Sequence, residues 1–258
     1  DGSSATDNCS STFTWSQNPA AATLLSSGEA TTHTITVTVN DGNGNSNTCT
    51  VLLTGDDTTP PVPTCEGPQT ISLNASCQLR VPNLIDGASA TDNCSASFTW
   101  SQNPSSATML ASGEGMTHTI TITVSDGNGN SSTCTVVLTG DDAMPPTPTC
   151  EGPQTIVLDA NCKLIVPDLT NGSSATDNCS ASFTWSQNPG IGTMLASGDG
   201  VTHTVTVTVS DGNGNTNTCT VVLTGDDTSA PVPTCEGPQT IVLDANCKLV
   251  VPNLIDGA

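Results

Sequence analysis

The sequence predicts an all-β protein, a tandem array of immunoglobulin-like β-sandwich modules with an 85-residue period, each stapled by disulfides. Three observations carry this. Ser-Ala-Thr-Asp-Asn-Cys-Ser begins at Ser4, Ser89 and Ser174, and Asp-Gly-Asn-Gly-Asn at Asp41, Asp126 and Asp211, so both recur every 85 residues. Short segments alternate apolar with polar residues, the period of a half-buried strand. The chain of 258 residues holds 12 Cys, four to each period.

The most regular segment is His118 to Val124, in which Ile120, Ile122 and Val124 share one face and threonines the other. Asp126-Gly127-Asn128-Gly129-Asn130 follows, made of residues that tolerate positive φ, and Cys134 to Leu138 returns as the second arm of a hairpin. Phe98 and Trp100, two apart, are expected to point together into the core. Thr70 to Leu73 and Gln78 to Val81 supply earlier short strands, and no window holds a helical period over three turns. Five to seven such strands in one period fit a small sandwich.

Module boundaries fall at the Pro/Thr stretches Asp56 to Pro63, Asp141 to Pro148 and Asp226 to Pro233, where paired prolines favour stiff, extended connections. Two complete repeats, 58–142 and 143–227, are thus flanked by the back part of one repeat, 1–57, and the front part of another, 228–258. Asp256-Gly257-Ala258 stands in the phase of Asp1-Gly2-Ser3, which suggests a piece of a longer array, or partial repeats that meet between neighbouring chains.

Each complete repeat carries four cysteines, Cys65, Cys77, Cys94 and Cys134 in the first and Cys150, Cys162, Cys179 and Cys219 in the second. No Cys-x-x-Cys occurs, so disulfides outweigh zinc. Cys65 opens the first strand and Cys134 sits near the start of the last, which favours Cys65–Cys134 and leaves Cys77–Cys94. The same logic gives Cys150–Cys219 and Cys162–Cys179, and leaves Cys9, Cys49, Cys235 and Cys247 to find partners outside the chain segment. Two such loops contribute roughly 4 and 3 kcal/mol by chain entropy. With 34% hydrophobic and 2% aromatic residues, cores this lean need that help. The setting is therefore oxidising and extracellular.

A net charge of -21, with 24 Asp+Glu against 3 Lys+Arg, excludes a nucleic-acid partner, which requires a basic footprint. No run of 18 apolar residues exists, so membrane insertion is not expected either.

The order of these features resembles the hyalin repeat (HYR) module of extracellular and cell-surface proteins. Pro148-Thr149-Cys150, Ala175-Thr176-Asp177-Asn178-Cys179, Thr202 to Asn215 and Thr218-Cys219-Thr220-Val221 carry the resemblance, which covers the whole period. A Cys-Glu-Gly-Pro start stands where the family has Cys-Pro. The resemblance implies an immunoglobulin-like fold, a role in adhesion or scaffolding, and no catalytic residues.

Oxygen ligands recur with the period. Asp56, Asp57, Asp92, Asp126, Asp141, Asp142, Asp177 and Asp211 lie at strand exits and loops expected at one end of a sandwich, where carboxylates and Asn carbonyls suit Ca²⁺. The competing reading is that Asp and Asn only form turns. No cofactor is required. Asn8, Asn74, Asn93, Asn130, Asn171 and Asn178 begin Asn-x-Ser sequences, candidates for covalent glycans. His33, His118 and His203 recur beside Ser and Asp residues but follow no nucleophile elbow, so packing outweighs catalysis. The expectation is a non-enzymatic stalk, fibre or adhesive scaffold partnered by its own copies. The alternatives are a Ca²⁺-dependent array binding glycans or cell-surface receptors, and spacer modules of a larger secreted enzyme.

Overall fold

The structure is a computed structural model and describes residues 3–255. The phase match of Asp256 to Ala258 with Asp1 to Ser3 rests on residues outside that range, apart from Ser3. Every regular element among the described residues is a strand. Among the described residues no helix is long and apolar enough to cross a membrane.

The first repeat fragment forms β1 (Thr14–Asn18), β2 (Thr32–Asn40) and β3 (Ser46–Thr54), one antiparallel sheet in that order. The next repeat supplies β4 (Val62–Thr64), β5 (Gln69–Ser72), β6 (Gln78–Arg80), β7 (Ser89–Thr91), β8 (Thr99–Asn103), β9 (Met109–Ala111), β10 (Thr117–Ser125) and β11 (Ser131–Asp141). The third contributes β12 (Thr147–Thr149), β13 (Gln154–Val157), β14 (Lys163–Ile165), β15 (Ser174–Thr176), β16 (Thr184–Asn188), β17 (Met194–Ala196), β18 (Thr202–Ser210) and β19 (Thr216–Asp226). The early strands expected at Thr70 to Leu73 and Gln78 to Val81 are each set back by one residue at one or both ends. The short strands β4, β7 and β9 were not anticipated, and Cys65 follows β4 rather than opening the first strand.

In the repeat from β4 to β11 the main sheet has the order β5-β11-β10-β8, and the pairs β4-β7 and β6-β9 supply the opposing layer. The β10–β11 hairpin pairs Ser125 with Ser131 around the Gly/Asn turn, where Gly127 and Gly129 take φ of 85° and 104°. Parallel pairing of β5 with β11 sets Gln69 against Leu138 and Ser72 against Asp141.

Strand alternation places Ile120, Ile122, Val136 and Leu138 of the main sheet against Leu73, Leu79, Val81 and Leu84 from the opposing segment, all of them buried. Trp100 packs against this cluster, half-buried, whereas Phe98 is half-buried outside it. Gln102 fixes the opposing layer's exit. Its Oε1 accepts the Leu84 N–H (2.9 Å) and its Nε2 donates to the carbonyls of Pro82 (3.0 Å) and Pro104 (3.3 Å). Gly140 lies so close to Gly113 that a Cβ there would sit 2.7 Å from the Gly113 carbonyl oxygen.

The chain gathers into two compact units, and neither coincides with one sequence repeat. The first comprises Asp1–Pro148, Ser174–Trp185 and Thr208–Asn217. The second comprises Thr149–Ser173, Ser186–Val207 and Thr218–Ala258. The strands β13, β19, β18 and β16 repeat the order of the earlier main sheet, and Leu158, Leu164, Val166, Leu169, Val205, Val207, Val221 and Leu223 are buried in the second unit.

Candidate functional site

Three disulfides form. Cys65–Cys134 and Cys150–Cys219 each close a loop of sequence separation 69 inside a repeat. The expected Cys77–Cys94 and Cys162–Cys179 bonds are not made; Cys77 is bonded instead to Cys179, 102 residues away and in the following repeat. The reason is local geometry. Asn74 Oδ1 accepts the N–H groups of Ser76 and Gln78 (both 2.9 Å), the Cys77 N–H donates to the Asn74 carbonyl (2.9 Å), and Cys77 takes φ of 53°. This turn presents Cys77 at a tip, where Asn178 Nδ2 also donates to the Asn74 carbonyl (3.1 Å) and brings the adjoining Cys179 to it. Cys94 and Cys162 remain free and exposed, as do Cys9, Cys49, Cys235 and Cys247.

Within the first unit, two sets of carboxylates converge: Asp57 with Asp92 and Asp126, and Asp142 with Asp177 and Asp211, each set offering one oxygen per residue within 4.8 Å of the others. Their origins are equivalent. Asp57 and Asp142 follow the exit strand, Asp92 and Asp177 open the loop before a cysteine, and Asp126 and Asp211 open the Gly/Asn hairpin. Asp57, Asp126, Asp142 and Asp211 are buried.

The hairpin acids build their own loop. Asp211 Oδ1 accepts the N–H groups of Asn213 (2.9 Å) and Asn215 (3.1 Å), and its Oδ2 accepts Asn215 Nδ2 (2.8 Å). Burial pushes the acids of Asp126 and Asp211 up, but the side-chain and backbone N–H donors outweigh it, and both sit below the ordinary carboxylate range. The same asparagines reach the strand exit. Asn213 Nδ2 donates to Asp142 Oδ2 (3.0 Å), and Asn215 Nδ2 to the Asp142 carbonyl (2.7 Å). Asn128 and Asn130 do the same for Asp57 at 3.1 and 2.8 Å.

Turn formation therefore explains part of each set but not all of it. Asp177 Oδ1 accepts the Cys179 and Ser180 N–H groups, while its Oδ2 is buried with no hydrogen-bond partner, as is Asp92 Oδ2. At an effective dielectric of about 20, two unit charges about 5 Å apart repel by about 3 kcal/mol, so such a trio gains from a cation. An all-oxygen donor set with one orphaned buried oxygen fits Ca²⁺. Asp56 and Asp141 belong to neither set. Alternation along the exit strand explains this: Asp141 pairs with Ser72 in the sheet, and Asp142, the next residue, turns into the site.

Desolvation by its neighbours, and after it the charges of Asp57, Asp92 and Glu29, push the thiol of the exposed Cys94 up from its ordinary range. Among the glycan candidates, Asn130 Nδ2 is held by the Asp57 carbonyl and Asp126 Oδ2 (2.7 Å), and Asn178 Nδ2 by the Asn74 carbonyl and Cys179 Sγ (3.1 Å). Those are the atoms a sugar would need, and in the folded chain both are spent on part-buried contacts, whereas Asn93 Nδ2 and Asn171 Nδ2 make exposed ones, to Cys94 Sγ (3.0 Å) and Asp168 Oδ2 (2.7 Å). Asn74 is half-buried in its turn, whereas Asn8, Asn93 and Asn171 are exposed. His118 Nε2 meets Ser112 Oγ, and His203 Nε2 meets Ser197 Oγ, both at 3.2 Å beside the close glycine approach.

No protein-family model matches the sequence, and no curated protein matches it. Among solved structures, PcdhgB3 EC1-4 is similar at 17% identity and a TM-score of 0.37, over 77% of this chain and 58% of that one. The protocadherin gammaB7 EC3-6 cis-dimer structure is similar at 16% identity and 0.40, over 83% and 62%. Mouse cadherin-23 EC22-24 is similar at 16% identity and 0.33, over 75% and 74%. The chain thus spans about three fifths of the length of the first two.

Proposed function

We propose that the chain is a non-enzymatic structural array of the extracellular space, built of hyalin-repeat-like modules at 58–142 and 143–227 with partial modules at 1–57 and 228–258. The observation that carries this reading is the Cys77–Cys179 bond, which ties one repeat to the next. A staple between repeats resists separation under tension in a way that bonds inside repeats do not. Disulfides at this density belong to an oxidising compartment. Only 3 Lys+Arg leave few sites for trypsin-like proteases.

Ca²⁺ is the ion we assign to Asp57, Asp92 and Asp126 and to Asp142, Asp177 and Asp211. It would neutralise buried like charges and fix the hairpin to the strand exit. Sugars, where present, attach at the exposed Asn8, Asn93 or Asn171, where the Asn93 and Asn171 amides would give up only surface hydrogen bonds, and the partners are copies of the same array.

Thiol labelling of natively purified protein tests the structural reading. Cys65, Cys77, Cys134, Cys150, Cys179 and Cys219 stay unlabelled until reductant is added; labelling of all six without reductant overturns it. Calorimetric titration of chelator-treated protein tests the ion separately. Two Ca²⁺ per chain and a raised melting temperature are expected, and the absence of both heat and thermal shift removes the assignment.

A further inference from the structure

The acids Asp142, Asp177 and Asp211 are fastened by different means. Asp142 follows β11 and Asp211 opens the turn between β18 and β19, and hydrogen bonds tie these two together. Asn213 Nδ2 donates to Asp142 Oδ2 and Asn215 Nδ2 to the Asp142 carbonyl, while Asp211 Oδ1 accepts the N–H groups of both asparagines. Both acids are buried, 2% and 6% exposed.

Asp177 is held only through its loop, 177–180, which follows β15. Its Oδ1 accepts the Cys179 N–H (2.8 Å) and the Ser180 N–H (2.9 Å), so the carboxylate and Cys179 are oriented as one piece. Ser180 Oγ accepts Asn213 Nδ2 (3.0 Å) and fastens the loop to the hairpin on one side. On the other side the loop meets the turn 74–78 of the preceding repeat. There Asn178 Nδ2 donates to the Asn74 carbonyl, Cys179 is bonded to Cys77, and both cysteines pack against the cluster that contains Leu73 and Leu79. The covalent bond is thus two residues from a carboxylate whose Oδ2 is buried with no hydrogen-bond partner.

Without an ion the three carboxylates repel, and the one on the half-buried loop yields first. Opening Cys77–Cys179 leaves that loop held by hydrogen bonds alone, so Asp177 can relax away from Asp142 and Asp211. A cation binding the relaxed state must order the loop again, and that ordering entropy subtracts from its affinity. Reciprocity then fixes the converse: the factor by which the bond strengthens ion binding is the factor by which the ion stabilises the bond.

We infer that Cys77–Cys179 is a redox control on the cation site formed by Asp142, Asp177 and Asp211: closed, the bond holds the site ready for a divalent cation, and opened by a small thiol, it weakens the site. The chemistry is thiol–disulfide exchange. One small thiolate attacks a sulfur of the pair, forms a mixed disulfide and expels the other sulfur as thiolate; a second thiolate resolves the mixed disulfide. Two small thiols become one small disulfide, and Cys77 and Cys179 each take up a proton. The inference rests on the Ca²⁺ assignment proposed above and adds its regulation.

Two measurements on the full chain test it. First, chelator-treated protein is titrated calorimetrically with Ca²⁺, with and without the double substitution Cys77→Ser/Cys179→Ser. One of the two binding steps should weaken roughly tenfold in the variant, a coupling of ordinary size. Equal affinities overturn the inference and leave the ion assignment standing, whereas no heat from the parent protein removes the assignment and the inference with it. Second, the parent cysteines are kept, which makes the result independent of how well the variant folds. Protein is equilibrated in buffers of graded small-thiol to small-disulfide ratio, with saturating Ca²⁺ or with chelator, then alkylated and mapped by mass spectrometry. Ca²⁺ should move the Cys77–Cys179 midpoint about 30 mV toward more reducing potentials, the equivalent of tenfold for a two-electron couple. Cys65–Cys134 and Cys150–Cys219, which have no cysteine in loop 177–180, are the internal references and should not follow. Asp177→Asn keeps an oxygen to accept the loop's N–H groups but removes the charge, and should abolish the shift. A midpoint that Ca²⁺ does not move, a shift shared equally by all three bonds, or one that survives Asp177→Asn overturns the inference.

Discussion

Removing the bridge between repeats tests the account at its most consequential bond. Cys77 and Cys179 are separated by 102 residues, so their bond closes the longest loop of the three. Chain-entropy scaling gives about 4.7 kcal/mol for a loop of this length, against about 4.4 for the bonds inside repeats. At 2–4 °C per kcal/mol for a unit of this size, the double variant Cys77→Ser/Cys179→Ser should lose roughly 10–20 °C in melting temperature. Replacing both residues avoids a stray thiol. Unfolding is followed by tryptophan fluorescence in a background with Trp15→Phe and Trp185→Phe, so that Trp100, which packs against the first unit's core, reports alone. Cys94→Ser is the informative companion, because Cys94 carries no bond within the chain and its loss should shift the transition by less than about 0.5 kcal/mol. A double variant that melts with the parent, together with a Cys94→Ser variant that falls by about 3 kcal/mol, would refute the reasoning in favour of pairing inside the repeat.

Three further outcomes are expected. Leu79→Ala, at a side chain fully buried in the first unit, should cost about 2–5 kcal/mol in urea unfolding, since the cavity adds to the lost transfer energy. Gly140→Ala places a Cβ 2.7 Å from the Gly113 carbonyl and should destabilise by about 1–3 kcal/mol, whereas Gly113→Ala meets nothing within 4 Å and should fall near neutral. The lowered acids of Asp126 and Asp211 contribute stability that is present above the unfolded carboxylate range and lost as pH falls through the folded values. Melting temperature should therefore drop on acidification below about pH 4. Asn215→Ala should weaken that dependence by removing the side-chain donor to Asp211.

The strands were legible because their signal is local. The alternation of Ile120, Ile122 and Val124 with threonines, and the Gly127 and Gly129 turn, determine a hairpin with little help from the rest of the fold. The Cys65–Cys134 bond was legible for the same reason, since both residues sit near the ends of strands that a sandwich brings together. The Cys77–Cys179 bond was not. In a periodic chain every repeat offers the same two remaining cysteines, so pairing within a repeat and pairing to the next satisfy the same count. What separates them is that Asn178 docks on the Asn74 carbonyl, a contact 104 residues apart that leaves no mark on composition or spacing.

The carboxylate sets were legible by residue type and phase, but the acid pairs were too generous. Asp56 and Asp57, or Asp141 and Asp142, are neighbours in sequence, yet only Asp57 and Asp142 are buried. The two-residue period could have removed Asp141, because it continues the alternation of β11 on the face away from Val136 and Leu138. The glycan sequence Asn130-Ser131-Ser132 reflects the same limit, since a three-residue pattern does not register that the amide nitrogen is spent on Asp57 and Asp126.

Peptide mapping of the native, unreduced protein gives the shortest route to a decision on covalent joints. Cleavage at aspartates, followed by mass spectrometry, should return a linked pair in which one peptide carries Cys77 and the other Cys179. A linked pair holding Cys77 and Cys94 would contradict the account, leaving each repeat closed on itself and the joints between repeats without a staple.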